Sequence, residues 1–193
     1  GGEDGESIKL PELETPERFN GTLRPYQSRG MSWMSFMEQF GFGACLADDM
    51  GLGKTIQMLA LMVHERTVAP DGKVDPTLLV VPMSVIGNWM KEAQKFAPQL
   101  RVMVHHGVDR LTDDSFSEAA SNSDLILTTY ALAHRDRELI DTVKWGRIVL
   151  DEAQFIKNPA AKQSQAVRGI VAPKRVALTG TPVENRLSEL WSI

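Results

Sequence analysis

The sequence is poor in cysteine, in long apolar runs and in surplus positive charge. One cysteine, Cys45, occurs in 193 residues. A lone thiol can build neither a disulfide framework nor a cysteine cluster around a metal, so both scaffold types are excluded. Its place inside an apolar run marks it as a small core residue. No stretch approaches the ~20 apolar residues that cross a bilayer, and no signal-peptide pattern opens the chain. No membrane partner is expected, and the expected setting is intracellular. The net charge is −4, whereas a domain that holds nucleic acid unaided usually carries a basic surplus. Any such contact must be a local basic stripe, or be shared with another segment.

What is present describes a globular domain. Hydrophobic residues make up 42% and charged residues 24%, ordinary values for one domain with a real core. Residues 1–20 are rich in Glu, Asp, Gly and Pro without periodicity, and read as a flexible acidic tail or linker. From Leu23 the pattern changes, with Met31, Trp33, Met34, Phe36 and Met37 on a helix that Gly41 and Gly43 end. A strand over Phe42–Leu46 follows, and then a helix from Lys54 with Ile56, Leu59, Ala60 and Val63 at helical spacing. Leu78-Leu79-Val80-Val81 is a continuous apolar run, suited to a strand buried on both faces of a parallel sheet. Pro82 stops it, and Ser84 is placed to N-cap a helix carrying Ile86, Trp89, Met90, Ala93 and Phe96. The helical stripe assigns Trp89 to the core. Further strands are expected at Arg101–His105, Leu125–Thr129, Arg147–Leu150 and Arg175–Leu178, with helices over Leu132–Val143 and Gln163–Val171. This alternation predicts an α/β fold with a mostly parallel β-sheet sandwiched by helices. The loops after Asp48, Pro82, Thr129, Asp151 and Thr179 leave the sheet at its carboxyl edge, where ligands gather in such folds.

Two stretches at that edge carry chemistry. Asp49-Met50-Gly51-Leu52-Gly53-Lys54-Thr55 lies between a strand and a helix N-terminus, where loop amides and the helix dipole favour phosphate. Lys54 would reach the β- and γ-phosphates of ATP, and the Thr55 hydroxyl would ligate Mg²⁺. A glycine usually stands six residues before this lysine, and that position is Asp48. Such a loop needs an acidic partner at the end of another apolar strand. Ile148-Val149-Leu150-Asp151-Glu152 supplies it, with Asp151 as a metal-holding group and Glu152 as the group that orients or deprotonates water. His64 and the His105-His106 pair show no ligand spacing, so no metal beyond Mg²⁺ is assigned.

These stretches resemble a family. Asp151-Glu152-Ala153-Gln154 is similar to the Asp-Glu-x-x box of superfamily-two helicases. Asp48-Asp49-Met50-Gly51-Leu52-Gly53-Lys54-Thr55 resembles the phosphate loop of the SWI/SNF-type branch, which also lacks the first glycine. Leu23-Arg24-Pro25-Tyr26-Gln27, Val81-Pro82-Met83-Ser84 with Asn88-Trp89, Leu127-Thr128-Thr129-Tyr130 and Leu178-Thr179-Gly180-Thr181-Pro182 are similar to further motifs in the family's order. The resemblance runs from residue 21 to residue 193.

The resemblance implies the first of two RecA-like lobes of a motor that couples ATP hydrolysis to movement on double-stranded DNA. It implies that Gln27 reads the adenine edge, and that Gln154, a histidine in many members, links the nucleotide to the Thr179-Gly180-Thr181 segment. That segment would carry nucleotide state elsewhere; on its own it also suits a plain strand-ending turn. Ser84, His106, Gly107, Arg110, Thr128 and Thr129 would face the phosphodiester backbone, though each equally suits a cap or turn. The implied partners are duplex DNA, a second RecA-like lobe of the same protein and DNA-bound proteins, in the nucleoid of a bacterium or the nucleus of a eukaryote. The second lobe would close the cleft with arginines, and a residue of that kind is worth about 10³ to 10⁵ in rate. The lobe alone is therefore expected to be a weak ATPase. A strand-separating helicase and a non-catalytic scaffold are the competing readings. The scaffold predicts lost catalytic residues, yet Lys54, Thr55, Asp151 and Glu152 are present. A small-molecule kinase leaves Asp151-Glu152-Ala153-Gln154 and the Thr-Gly-Thr-Pro segment unexplained.

Overall fold

The structure, a computed structural model, describes residues 10–47, 53–153 and 160–180. Its centre is an all-parallel, six-stranded sheet. The strands are β1 (Ala44–Ala47), β2 (Thr77–Val81), β3 (Val102–Val104), β4 (Leu125–Thr129), β5 (Arg147–Leu150) and β6 (Lys174–Thr179), in the spatial order β1-β6-β5-β2-β4-β3. Because side chains alternate across a strand, β2 feeds two apolar layers. Leu79 and Val81 meet α1 (Pro25–Gln39), α2 (Lys54–Val68) and α3 (Ile86–Phe96) on one face. Leu78 and Val80 meet α4 (Ser115–Ser121), α5 (Tyr130–Arg135), α6 (Arg137–Ile140) and α7 (Lys162–Arg168) on the other. Every residue of β2, β4 and β5 is buried, which is why these segments are apolar without alternation.

In register, Ala47 lies opposite Thr179, Val81 opposite Thr129, and Val80 opposite Leu150. The carboxyl ends of the strands therefore finish at one level and form a common edge. A buried charge cluster closes the opposite edge. Arg147, the first residue of β5, donates from Nε to Glu38 Oε1 at 2.6 Å and from an Nη to Glu65 Oε1 at 2.5 Å. Lys174, the first residue of β6, donates to the same Glu65 oxygen at 2.5 Å. Glu38 and Glu65 sit near the last turns of α1 and α2. Their pairing pins those helix ends, and with them the amino end of α2, which points at the carboxyl edge of the sheet.

Several local expectations change. Residues 13–23, most of them read as tail, pack on the domain. Phe19 is buried and stacks on Phe96 at 5.8 Å, Asn20 N–H donates to the Phe96 carbonyl, and Leu13 N–H donates to Ser32 Oγ. Sparse apolar residues without period hid this strap. The single helix over Leu132–Val143 is two short helices broken at Asp136, whose carboxylate receives His105 and Arg110 instead of continuing a helical face. Ser84 does not cap α3: it lies in a 3₁₀ turn over Met83–Val85, and Val85 precedes α3 without a side-chain cap bond. Phe42 stays outside β1 and is exposed. The helix α4, with buried Phe116 and Ala120 one turn apart, had no sequence signal longer than those two residues.

Candidate nucleotide-binding site

The site is built where β1 hands over to α2. Lys54 and Thr55 are the first two residues of a 15-residue helix, at the end where the amides of any α-helix lack intrahelical acceptors. Gly53 precedes them with φ 82° and ψ 39°, a left-handed conformation natural to glycine. A Cβ at Gly53 would also come 2.5 Å from Nε2 of Gln27, so the missing side chain lets Gln27 reach the loop. Gln27 is buried, and its Oε1 accepts the Arg24 N–H at 2.9 Å, an N-terminal cap on α1. Asp49, Met50, Gly51 and Leu52 lie outside the described residues.

Asp151 follows β5 directly and is buried. Its N–H donates to the Val80 carbonyl at 2.9 Å, and its own carbonyl accepts the Tyr130 hydroxyl at 2.6 Å. Its carboxylate takes Trp89 Nε1–H on Oδ2 at 2.7 Å and Glu152 N–H on Oδ1 at 2.9 Å. Burial raises the Asp151 pKa, with the Glu152 charge adding to it, while the Trp89 bond and the Lys54 charge oppose the rise. In the sheet, β6 lies between β1, which leads to Lys54, and β5, which ends at Asp151. Glu152 has φ 51°, the left-handed region that a residue with a Cβ seldom adopts, and the bend turns the chain sharply after β5.

The buried Asp151 carboxylate and the helix-opening Thr55 hydroxyl, which share Glu92 as a neighbour, are oxygen donors of the kind that fit a hard divalent cation. Thr179, the last residue of β6, is fully buried beside Ala47, with Gly180 next to it. The coupling candidates therefore border the strand that leads into the phosphate loop. Gln154 and Thr181 lie outside the described residues.

The other predicted residues gather at the same edge, beyond β2, β3 and β4. Pro82, Met83, His106, Gly107, Thr129 and Arg135 line one open groove, which Arg110 also borders. Ser84 is exposed beside it. Arg110 gives Nε to Asp136 Oδ2 at 2.8 Å and an Nη to the Gly107 carbonyl at 3.0 Å, so its guanidinium shapes the loop. Thr128 is fully buried and donates to the His105 carbonyl, and Thr129 Oγ1 accepts the Leu132 N–H to cap α5. Arg135, with 69% of its side chain exposed, was not singled out by the sequence because a lone arginine in a short helix carries no pattern. Trp89 is core, as its helical stripe predicts, but its indole N–H also reaches Asp151, which no periodicity reports.

A parallel α/β sheet with a lysine-threonine helix start and a buried acidic strand end is the arrangement of the phosphate-loop class. The profile of the SNF2-related domain matches residues 26–193. A putative ATP-dependent helicase/translocase, YwqA of Bacillus subtilis, is 52% identical over 185 residues, covering 95% of this chain and 20% of that protein. The TATA-binding protein-associated factor MOT1 of Saccharomyces cerevisiae is 35% identical, covering 96% of this chain and 10% of that protein. The Sulfolobus solfataricus SWI2/SNF2 ATPase core, solved in complex with double-stranded DNA, superposes with a TM-score of 0.81 at 46% identity, covering 94% of this chain and 36% of that one. The chain belongs to the SNF2-related domain family. It spans about a fifth of the length of the Bacillus relative.

Proposed function

We propose that the chain is the first ATP-binding lobe of an ATP-dependent translocase on double-stranded DNA, with residues 21–193 forming that lobe. The observation that carries the reading is the meeting, at the carboxyl edge of one parallel sheet, of the Lys54-Thr55 helix start after β1 and the buried Asp151 after β5. The resemblance to a core solved on duplex DNA, and the placement of His106, Gly107 and Thr129 in one groove, support the DNA partner.

In this reading Lys54 and the opening amides of α2 hold the phosphates, and Gln27 meets the adenine edge. Thr55 and Asp151 would hold Mg²⁺, which supplies charge neutralisation on the phosphate oxygens when bound. Glu152 orients the attacking water and takes its proton. Catalysis is then positioning and charge stabilisation, as in other phosphoryl transfers. Gln154, Thr179, Gly180 and Thr181 pass nucleotide state to a second lobe that completes the cleft. Contacts to DNA go to its backbone and read no sequence. The relatives are much longer than this chain, which leaves room in them for that lobe.

The test is ATP turnover with and without duplex DNA, in this chain and in the chain extended to a second lobe, with Lys54→Ala as the blank. Duplex-stimulated turnover in the extended protein that Lys54→Ala abolishes is the expected result. Silence in both would return the scaffold reading. A forked-duplex assay that shows strand separation would favour the helicase reading instead.

A further inference from the structure

The α3 helix has a polar side that its apolar role does not require. Trp89 is 1% exposed and fills the core between α3, α2 and the sheet. A phenylalanine or leucine would fill much of the same volume, but only tryptophan brings a donor there, and that donor ends on Asp151 Oδ2 at 2.7 Å. Indole donates and never accepts or ligates. It therefore fixes one carboxylate oxygen without competing for a cation. Glu152 N–H takes the other oxygen, and Tyr130 fixes the Asp151 backbone from the opposite face of the sheet. A carboxylate has about four acceptor positions, so the remaining lone pairs of Asp151 are aimed by the protein before any ligand arrives.

Glu92 lies three residues after Trp89 and hence on the same side of α3. Burial raises its pKa, hydrogen bonding from Thr55 and Asn88 opposes the rise, and the Asp151 charge adds to it. Its Oε2 is buried without any hydrogen-bond partner. A half-buried glutamate beside Thr55 and Asp151, with one unsatisfied oxygen, is costly unless something arrives to use it. Threonine Oγ has one hydrogen and two lone pairs. When that hydrogen goes to Glu92, the lone pairs point away from Glu92. Magnesium keeps several of its waters when bound, and a metal-bound water is the donor the unpaired Glu92 oxygen lacks.

We propose that Trp89 and Glu92 are positioning residues for the cation end of the site, Trp89 by holding the Asp151 carboxylate and Glu92 by taking the Thr55 hydroxyl hydrogen and a cation-bound water. The inference rests on the nucleotide-site reading above and deepens it. Partners of this kind behind metal-holding groups typically cost about 10–100-fold in metal affinity when removed.

The test is the magnesium concentration at half-saturation for binding of a fluorescent ATP analogue, measured beside the thermal midpoint in metal-free buffer. Trp89→Phe keeps most of the ring volume and deletes the donor. Glu92→Leu deletes the acceptor, whereas Glu92→Gln keeps an acceptor oxygen. Trp89→Phe and Glu92→Leu should each raise the magnesium midpoint about tenfold while nucleotide binding in EDTA stays within about twofold of wild type. Glu92→Gln should recover part of the loss. A shift in thermal midpoint with an unchanged magnesium midpoint would make both residues merely structural and overturn the inference. Equal shifts in Glu92→Leu and Glu92→Gln would assign the effect to charge and overturn the acceptor role. If Trp89→Phe lacks a cooperative melt, the two Glu92 variants decide. A wild-type chain with no magnesium-dependent binding would be a different failure, that of the site itself.

Discussion

The side-chain amide of Gln27 occupies the space in which a side chain on Gly53 would have to begin, 2.5 Å from its Cβ position. The proposed adenine-reading residue and the glycine before Lys54 are thus one packed unit, although 26 positions separate them (53 − 27). Gly53→Ala must both hold φ 82° with a Cβ and displace Gln27. The left-handed conformation alone costs about 1–2 kcal/mol. The variant should lose at least about tenfold in affinity for a fluorescent ATP analogue. Wild-type affinity in a correctly folded Gly53→Ala would mean that the close approach constrains nothing.

At the far edge of the sheet the Glu65–Arg147–Lys174 contacts should make stability depend on acid. Burial alone would raise the Glu65 pKa, but the charges and hydrogen bonds of Arg147 and Lys174 outweigh it and bring it down to about 2, from an ordinary 4.5. The folded value lies below the unfolded one, so the stabilisation is fully present above pH 4.5 and is lost as pH falls toward 2. Glu65→Gln should cost on the order of 3 kcal/mol at neutral pH by leaving Arg147 underpaired. It should also flatten the stability curve in that acid window. Urea midpoints across the window measure both, and parallel curves for the two proteins would refute the assignment.

The sheet and the helix start at Lys54 were legible in the sequence because each rests on local signals. Leu78–Val81 and Arg147–Leu150 form the fully buried strands their composition predicts, and Lys54 begins a helix after a glycine that needs positive φ. The less legible parts join residues distant in sequence. Trp89 and Asp151 are 62 positions apart, and Arg147 and Glu38 are 109 apart. No period in either segment records such a pair. Arg147 even reads as the polar start of a strand, yet it is buried because two glutamates from the helix layer neutralise it. The packed strap over residues 13–23 was hidden for a related reason. Its anchors, Leu13 and Phe19, meet partners on α1 and α3 and show no spacing of their own.

Asp136 organises the loop that borders the groove. It accepts His105 Nε2–H at 2.8 Å and Arg110 Nε–H at 2.8 Å. Burial lowers the His105 pKa below the ordinary imidazole value despite that carboxylate, which favours the neutral ring. Asp136→Ala would strand both donors and should cost about 2–3 kcal/mol. If Gly107 and Arg110 serve DNA through the shape of this loop, the variant should also lose duplex affinity while its affinity for the ATP analogue stays at the wild-type value. Anisotropy with a labelled duplex, run on samples shown by thermal melts to be folded, separates the two effects. Full duplex affinity would remove this loop from the interface.

Arg135 offers the sharper test of the groove, because its guanidinium is exposed and its Nε stands 3.9 Å from the nearest Asp136 oxygen, too far for a hydrogen bond. An arginine so placed at the carboxyl edge of the sheet can meet a phosphate at little cost in desolvation. Its contribution would be electrostatic and blind to sequence, released with one condensed counterion. Arg135→Ala should therefore weaken binding to unrelated duplexes by a similar factor, and the slope of log affinity against log salt should fall by about one. Those slopes, measured for two duplexes of different sequence, decide the point. An unchanged slope would show that no phosphate rests on Arg135. A loss confined to one sequence would imply base readout and overturn the backbone-contact reading.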